Sequence, residues 1–476
     1  MRERLASAIA ANRFGLGARP GDLAEIGGAG PDWLRAQLDG PPPAIADDDL
    51  ESSAQILSQL YALRREIRAE RLAAARTSPG TDGTDDAAGA TGAVATLSQL
   101  LRPVYLAEAG ARFRESVSTD RPLIERLTQF WANHFAVSVD KSVLPGLAGS
   151  YEREAIRPYV LGNFTDMLLA TERHPAMLLY LDNQMSIGPD SRAAQNIERR
   201  NAGRRVGINE NLARETMELH TVGVDGGYTQ ADVTAFSEVL TGWSVTGADG
   251  QGRGDLPGTF QFRPAMHQPG AQIIMGRRYP DTGYAQGVAV LRDLARHPST
   301  AHFVAVKLAR HFIADDPPAS AVQRIARAFR ESRGDLPTVY RALIDSPEAW
   351  AEPLAKFKTP SDYIVSAFRG LQLPIDARKA QVGLFALLGQ RIWSPGSPAG
   401  WHDSSADWDD ASELLKRIEW ADAVGQRVGT RRDPADLAPQ LLGATLSAGT
   451  QEAIAHAASG AQALTLLLAA PEFMRR

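Results

Sequence analysis

The sequence predicts a mainly α protein: a large multi-helix globular body with one small β-hairpin insertion and long loops. Three observations carry this. Apolar residues recur at three- and four-residue spacing through most of the chain, as at Ile56, Leu57, Leu60, Leu63 and Ile67, the period of a helix with one buried face. Only 259–280 shows a convincing extended pattern. Hydrophobic residues make up 44% of 476 residues, ample for a sizeable core.

The elements follow in order. Residues 51–75 read as an amphipathic helix, and 77–92, which lack any large apolar side chain, as a disordered loop. Helical periods resume over 93–118, 121–135, 150–158, 161–171, 209–220 and 230–241. Between 182 and 208 the chain turns polar and basic, with Arg192, Arg199, Arg200, Arg204 and Arg205, and reads as a long loop. Thr259 to Phe262 alternate and Gln272 to Gly276 are extended again, predicting a hairpin with His267 in its connection. Helices return from Ala285 to about 370, with amphipathic runs at 301–313 and 320–331. Region 376–476 alternates helices with a Trp-rich loop at 391–410. No repeat recurs at a fixed period. The best cuts divide the chain into 1–120, 121–355 and 356–476.

Composition removes several function classes. The net charge is −5 with both signs interspersed, so no basic face predicts a nucleic-acid partner. The absence of cysteine excludes disulfides, thiolate metal sites and cysteine nucleophiles. Any metal must be held by His, Asp and Glu. No window approaches the ~20 apolar residues of a membrane span, and the N-terminus lacks the apolar run of a signal peptide. The expectation is a soluble, cytoplasmic protein. No Gly-x-Ser-x-Gly elbow, Walker loop, His-Glu-x-x-His or strand-bound Gly-x-Gly-x-x-Gly is present.

The densest chemistry lies in 209–243. Asn211, Glu215 and Glu218 fall at i, i+4 and i+7, one stripe of a regular helix, with Leu212, Thr216 and Leu219 on the core-facing stripe beside it. Two carboxylates three residues apart can hold a cation or divide acid and base roles. The bland reading is an ion-pair network, because Arg214 lies four residues from both Glu210 and Glu218. Thr229 and Asp232 read as a capping box, which makes Asp232 structural. His134 ends an aromatic-rich helix, and His267 sits in a loop. A core histidine is the bland alternative for the first. His174 with Asp182, Asn183 and Ser186 reads best as a helix end. Trp401 and Trp408 offer rings for stacking on sugars, or for plain loop packing.

These residues resemble a known family. Asn209 to Glu215, Glu218-Leu219, Gly227-Tyr228-Thr229, Asp232-Val233 and Leu240 to Trp243 are similar to the central signature of the DUF1800 family, a large bacterial family of unknown function. Asn12 to Gly15, Phe130 to Phe135, Phe262 to Gly270, Phe357 to Pro360, and Gly389-Gln390 through Gly400-Trp401 extend the resemblance in order along nearly the whole chain. It implies a mostly helical protein, often encoded beside a DUF1501-type partner that resembles alkaline-phosphatase or sulfatase-type enzymes. Many members carry export signals. Asn211, Glu215, Glu218, His134 and His267 stand at motif positions to which the family assigns no role, and His220 stands where members commonly carry an aromatic residue.

The leading functional expectation is a metal-assisted hydrolase. His134, Glu218 and His267 would hold one divalent metal ion, with Glu215, Glu218 and Asn211 catalytic and Arg214, Trp401 and Trp408 binding a substrate such as a glycan or other polymer. One alternative is a metal-free carboxylate enzyme acting on a glycan. The other is a non-catalytic helical binding or assembly module whose charged helix is only an ion-pair network.

Overall fold

Short polar side chains mark where the helices begin. In the computed structural model, Asn163, Thr229, Asp335, Thr359, Asp410, Asp433, Ser447 and Ser459 each accept a hydrogen bond from a backbone N–H of the first turn they precede, which satisfies donors that have no partner within the helix. Proline at the first or second helical position of Pro122–His134, Pro175–Tyr180, Pro298–Phe312 and Pro360–Leu371 fixes φ where no donor is needed. The structure describes residues 2–45, 47, 49–77, 84–200, 207–247, 257–351, 354–376, 381–429 and 432–476. Among them run twenty-three α-helices and two small antiparallel strand pairs, the expected mainly α class. No helix of the described residues is long and apolar enough to cross a membrane.

Three local expectations are corrected. The loop expected at 77–92 lies partly outside the described residues (78–83), and the backbone is helical again from Thr84. Alanines at 87, 88 and 90 favour helix without supplying a large apolar side chain. Within 182–208, residues 192–200 form a helix, and 201–206 lie outside the described residues. The expected hairpin is two separate ribbons. Phe260–Phe262 pairs with Trp243–Val245, and Gln272–Ile274 pairs with Arg277–Tyr279. Met275 and Gly276 both have positive φ, +49° and +77°, as a two-residue turn of the I′ type requires, so the second strand turns straight back on its own neighbour.

Two buried apolar clusters result. The larger joins Phe14, Leu34, Leu57, Leu127, Trp131, Phe164, Leu212, Phe236, Leu308 and Tyr340, residues from both sides of position 120. The second gathers Phe357, Tyr363, Phe368, Phe385, Leu441, Leu464 and Phe473, together with Leu16 and the end of helix Thr84–Ser118 (Ala109, Phe113, Val117). The chain therefore dips into the second cluster at Leu16, again over Ala109 to Val117, and passes to it near 350. Fully buried arginines tie loops across this seam: Arg126 donates to the Gly15 carbonyl at 2.6 Å, and Arg369 to those of Gly17 and Val117 at 2.9 Å each.

Candidate functional site

The signature helix does not keep the pitch its sequence suggests. Asn211–Glu215 is α-helical, but Thr216–His220 is a π turn, wider than 3.6 residues per turn. The buried positions are consequently Leu212, Ala213, Thr216, Met217 and His220. Leu219, expected on the core face, is half-buried, and His220 takes its place. The proposed stripe is broken as well: Asn211 is exposed, while Glu215 and Glu218 are half-buried.

Most charges here are already satisfied. Arg214 meets Glu210 at 2.9 Å and the Gln230 amide oxygen at 2.9 Å, and Glu218 accepts from the Tyr228 hydroxyl at 3.3 Å. Asp232 closes the capping box with Thr229, as expected. Burial, with the Glu218 charge adding to it, pushes the Glu215 carboxyl above its ordinary range, and the nearby His220 only partly opposes this. Fully buried His220 places Nδ1 2.7 Å from Glu172 Oε1.

The three expected metal ligands keep separate company. His134 Nε2 lies 3.1 Å from the His220 carbonyl, Glu218 faces Tyr228, and His267 Nδ1 lies 3.0 Å from the Thr241 carbonyl with Nε2 3.8 Å from Asp281. Among the described residues, no group of three or more His, Asp or Glu is disposed to hold a metal ion. His174 caps the helix Pro175–Tyr180 and bonds Glu154 at 3.0 Å, a structural role. Trp408 is only 6% exposed and packs in the second cluster, donating to the His402 carbonyl at 3.0 Å.

The open space lies elsewhere, on the seam between the two clusters. A cavity of about 520 Å³ is walled by helix Pro122–His134, the end of helix Pro298–Phe312 and loop 390–404, and its volume suits a small molecule. Of the expected residues, His134 and Trp401 reach it. Asn133 holds the loop by a reciprocal pair, accepting from Trp401 N at 2.7 Å and donating to Trp401 O at 2.9 Å. Gly400 has φ +82°, and a Cβ there would meet the Asn133 carbonyl at 2.3 Å, so only glycine permits this approach. Trp393 sits at φ +51°, a strained conformation for a bulky residue, held by a 2.8 Å bond from Val139 N to its carbonyl.

Lys307 and His311, one turn apart on helix Pro298–Phe312, line one wall with Asp403 opposite. His311 Nδ1 lies 2.8 Å from Asp403 Oδ2, and its buried Nε2 has no partner. With Nδ1–H donating to the carboxylate, the lone pair sits on Nε2. Burial, opposed by Asp403, lowers the imidazole below its ordinary value and keeps it neutral. Burial alone would raise Asp403, but the hydrogen bond from His311 and the charges of Lys356 and Arg476 overcome it and hold the carboxyl well below the usual range. Lys356 donates to Asp315 at 2.5 Å and to the Asp403 carbonyl. Beneath them, Asp362 pairs with Arg126 at 3.0 Å and Arg476 at 2.9 Å. On the far side of Phe130, His134 is held neutral by burial and by the charge of Lys307, leaving Nδ1 unpartnered.

Lys307, His311 and Asp403 were not singled out by sequence. The first two lie in an amphipathic run and the third in the Trp-rich loop, so each belongs to a segment that was recognised. Their meeting across ninety-odd residues leaves no local trace. Neither a curated protein nor a solved structure matches the chain. A model described as a protein of unknown function covers residues 9–475, and the chain belongs to that family, DUF1800.

Proposed function

We propose that the seam cavity is the active site of an enzyme that moves a proton on a small anionic substrate. The observation that carries this reading is the Asp403–His311 pair, 2.8 Å apart, with the second imidazole nitrogen unpartnered on the cavity wall. His311 is the base and Asp403 fixes its tautomer and steadies the imidazolium that forms, the division of labour seen wherever a carboxylate orients a catalytic histidine. Lys307 and Arg310 make no ion pair with a described residue, and although Arg310 Nε donates to the Asp315 carbonyl at 3.2 Å, both cations can meet a substrate's negative charge. Trp401 supplies an apolar face. The proton taken is that of a water attacking an ester or amide carbon, or that of a carbon acid next to a carbonyl. Both reactions need the same base. No metal enters this reading, because His134, Glu218 and His267 are each held by different neighbours.

The test is a panel of 2-oxo acids and carboxylate-bearing esters and amides in deuterated buffer, followed by NMR. Wild type should hydrolyse or exchange at least one member. His311→Gln should slow that reaction by about 10²–10⁴ while melting at the wild-type temperature. Turnover by His311→Gln within a factor of about two, or inertness of wild type toward the whole panel, would sink the proposal.

A further inference from the structure

The chain contains only six lysines beside forty-five arginines, and five of the six lie among the described residues. Four of those five are engaged. Lys141 pairs with Asp182 at 2.6 Å, Lys356 with Asp315 at 2.5 Å and Lys416 with Glu413 at 2.6 Å. Lys358 donates to Ser366 at 3.1 Å, buried over the Phe473 ring. Lys307 alone makes no hydrogen bond or ion pair with a described residue. It stands on the cavity wall, its Nζ 5.6 Å from the centre of the Phe303 ring, with Arg310 three residues and His311 four residues further along the same helix. Phe303 is itself fixed, because Gly223 of the signature segment packs so closely that a Cβ there would meet the ring at 2.8 Å.

An unpaired lysine on a wall beside an aromatic ring is, in the bland case, a cation that partly balances Asp403. Two features go beyond that. A balancing cation would reach the carboxylate, as Lys356 does at 3.7 Å, and Lys307 does not. A histidine with an unpartnered nitrogen also stands one turn away, where proton transfer to and from a reacting amine is needed.

We propose that Lys307 is a covalent nucleophile, forming an imine with the carbonyl carbon of an anionic substrate whose charge is met by Arg310. This rests on the acid–base reading above and selects the carbon-acid branch of it. The lone pair of neutral Lys307 Nζ attacks the carbonyl carbon, and the carbonyl π pair moves to oxygen. The alkoxide takes one proton from solvent to become a hydroxyl; His311 Nε2 takes a proton from the new C–N nitrogen and passes it to that hydroxyl, which leaves as water while the nitrogen lone pair closes the C=N bond. Amine, carbonyl compound and one proton give a protonated imine and one water, and no oxidant or reductant is required. The proton next to the imine carbon is then acidic enough for His311 to remove. Burial supports the assignment: it pulls the ammonium down to about 8, with Asp403 opposing and Arg310 adding to the drop. About a tenth of Lys307 is then neutral at pH 7, against about one part in 2,500 for an ordinary lysine.

The experiment incubates the full chain with glyoxylate, an anionic aldehyde, and sodium cyanoborohydride at pH 7, and maps carboxymethyl-lysine by peptide mass spectrometry. Formaldehyde serves as a smaller, uncharged carbonyl in a parallel reaction. Lys307 should be modified at least about tenfold faster than Lys141 and Lys416 by both reagents. Arg310→Gln should slow only the glyoxylate reaction. Modification of Lys307 no faster than Lys141 and Lys416 with both reagents overturns the proposal. If that result accompanies a His311→Gln variant that has lost turnover on the panel above, the acid–base site stands without a covalent step. Rapid labelling of Lys307 that is unchanged in His311→Gln upholds the nucleophile and removes His311 as its proton carrier.

Discussion

The signature segment 209–243 and the seam cavity both concentrate ionisable groups, yet they treat them in opposite ways. In the signature, Arg214, Glu210, Gln230 and Thr234 bond one another, and Thr229 with Asp232 closes on itself; only the buried His220 Nε2 and Trp243 Nε1 are left over there, and neither lines the cavity. In the cavity, Lys307 makes no hydrogen bond or ion pair with a described residue, and His311 and His134 each keep an unpartnered nitrogen. Buried polar groups are ordinarily satisfied, so the exceptions are more informative than the charge density. Reactivity is to be sought where bonding capacity is left over.

The largest expected effect breaks the ionic floor of the cavity. Asp362→Ala leaves Arg126 and Arg476 without their shared carboxylate, all three being buried, and should cost about 3–5 kcal/mol in chemical denaturation. A smaller effect has opposite signs in the two regions. Asp362 and Asp403 are held below their ordinary value in the folded state. The unfolded chain therefore binds protons first, and their stabilisation, present at neutral pH, should fade as the pH drops below about 4. Glu215 is pushed the other way, so its folded form binds the proton more tightly and stability declines as the pH rises past the ordinary glutamate value. Glu215→Gln should flatten that decline without lowering the melting temperature at pH 7; a loss there would reveal a partner for the Glu215 carboxylate. The smallest effect is Glu210→Ala, at most about 1 kcal/mol for a half-exposed i,i+4 pair. If it rivals Asp362→Ala in the same denaturation assay, the contrast between the regions is wrong.

Most helices were legible in the sequence because their signals are local (an apolar period, a capping side chain, a proline in the first turn), whereas the polar helix at 192–200, the start at Thr84 and the π turn at Thr216–His220 carry no such signal. Strand partners were not. Alternation at Phe260–Phe262 says that the segment is extended and is silent on whether Trp243 or Gln272 lies beside it. The same limit governed the site. Trp401 and His134 were picked for their chemistry and do reach the cavity, whereas Trp408, equally eye-catching, is swallowed by the second core. Glu215 and Glu218 drew attention because charge is visible in a sequence, while the absence of a partner for Lys307 is a property of the surroundings. Only the fold shows it.

The π turn at Thr216–His220 amounts to extra length stored in a helix. Removing one residue from it would let the turn rewind at 3.6 residues, and four residues at about 100° sweep nearly the same angle as five in the wider winding. His220 would then still face the Glu172 carboxylate. The spare residue is absorbed locally, so this turn would tolerate a one-residue deletion that a regular α-helix would pass on as a rotation of everything after it.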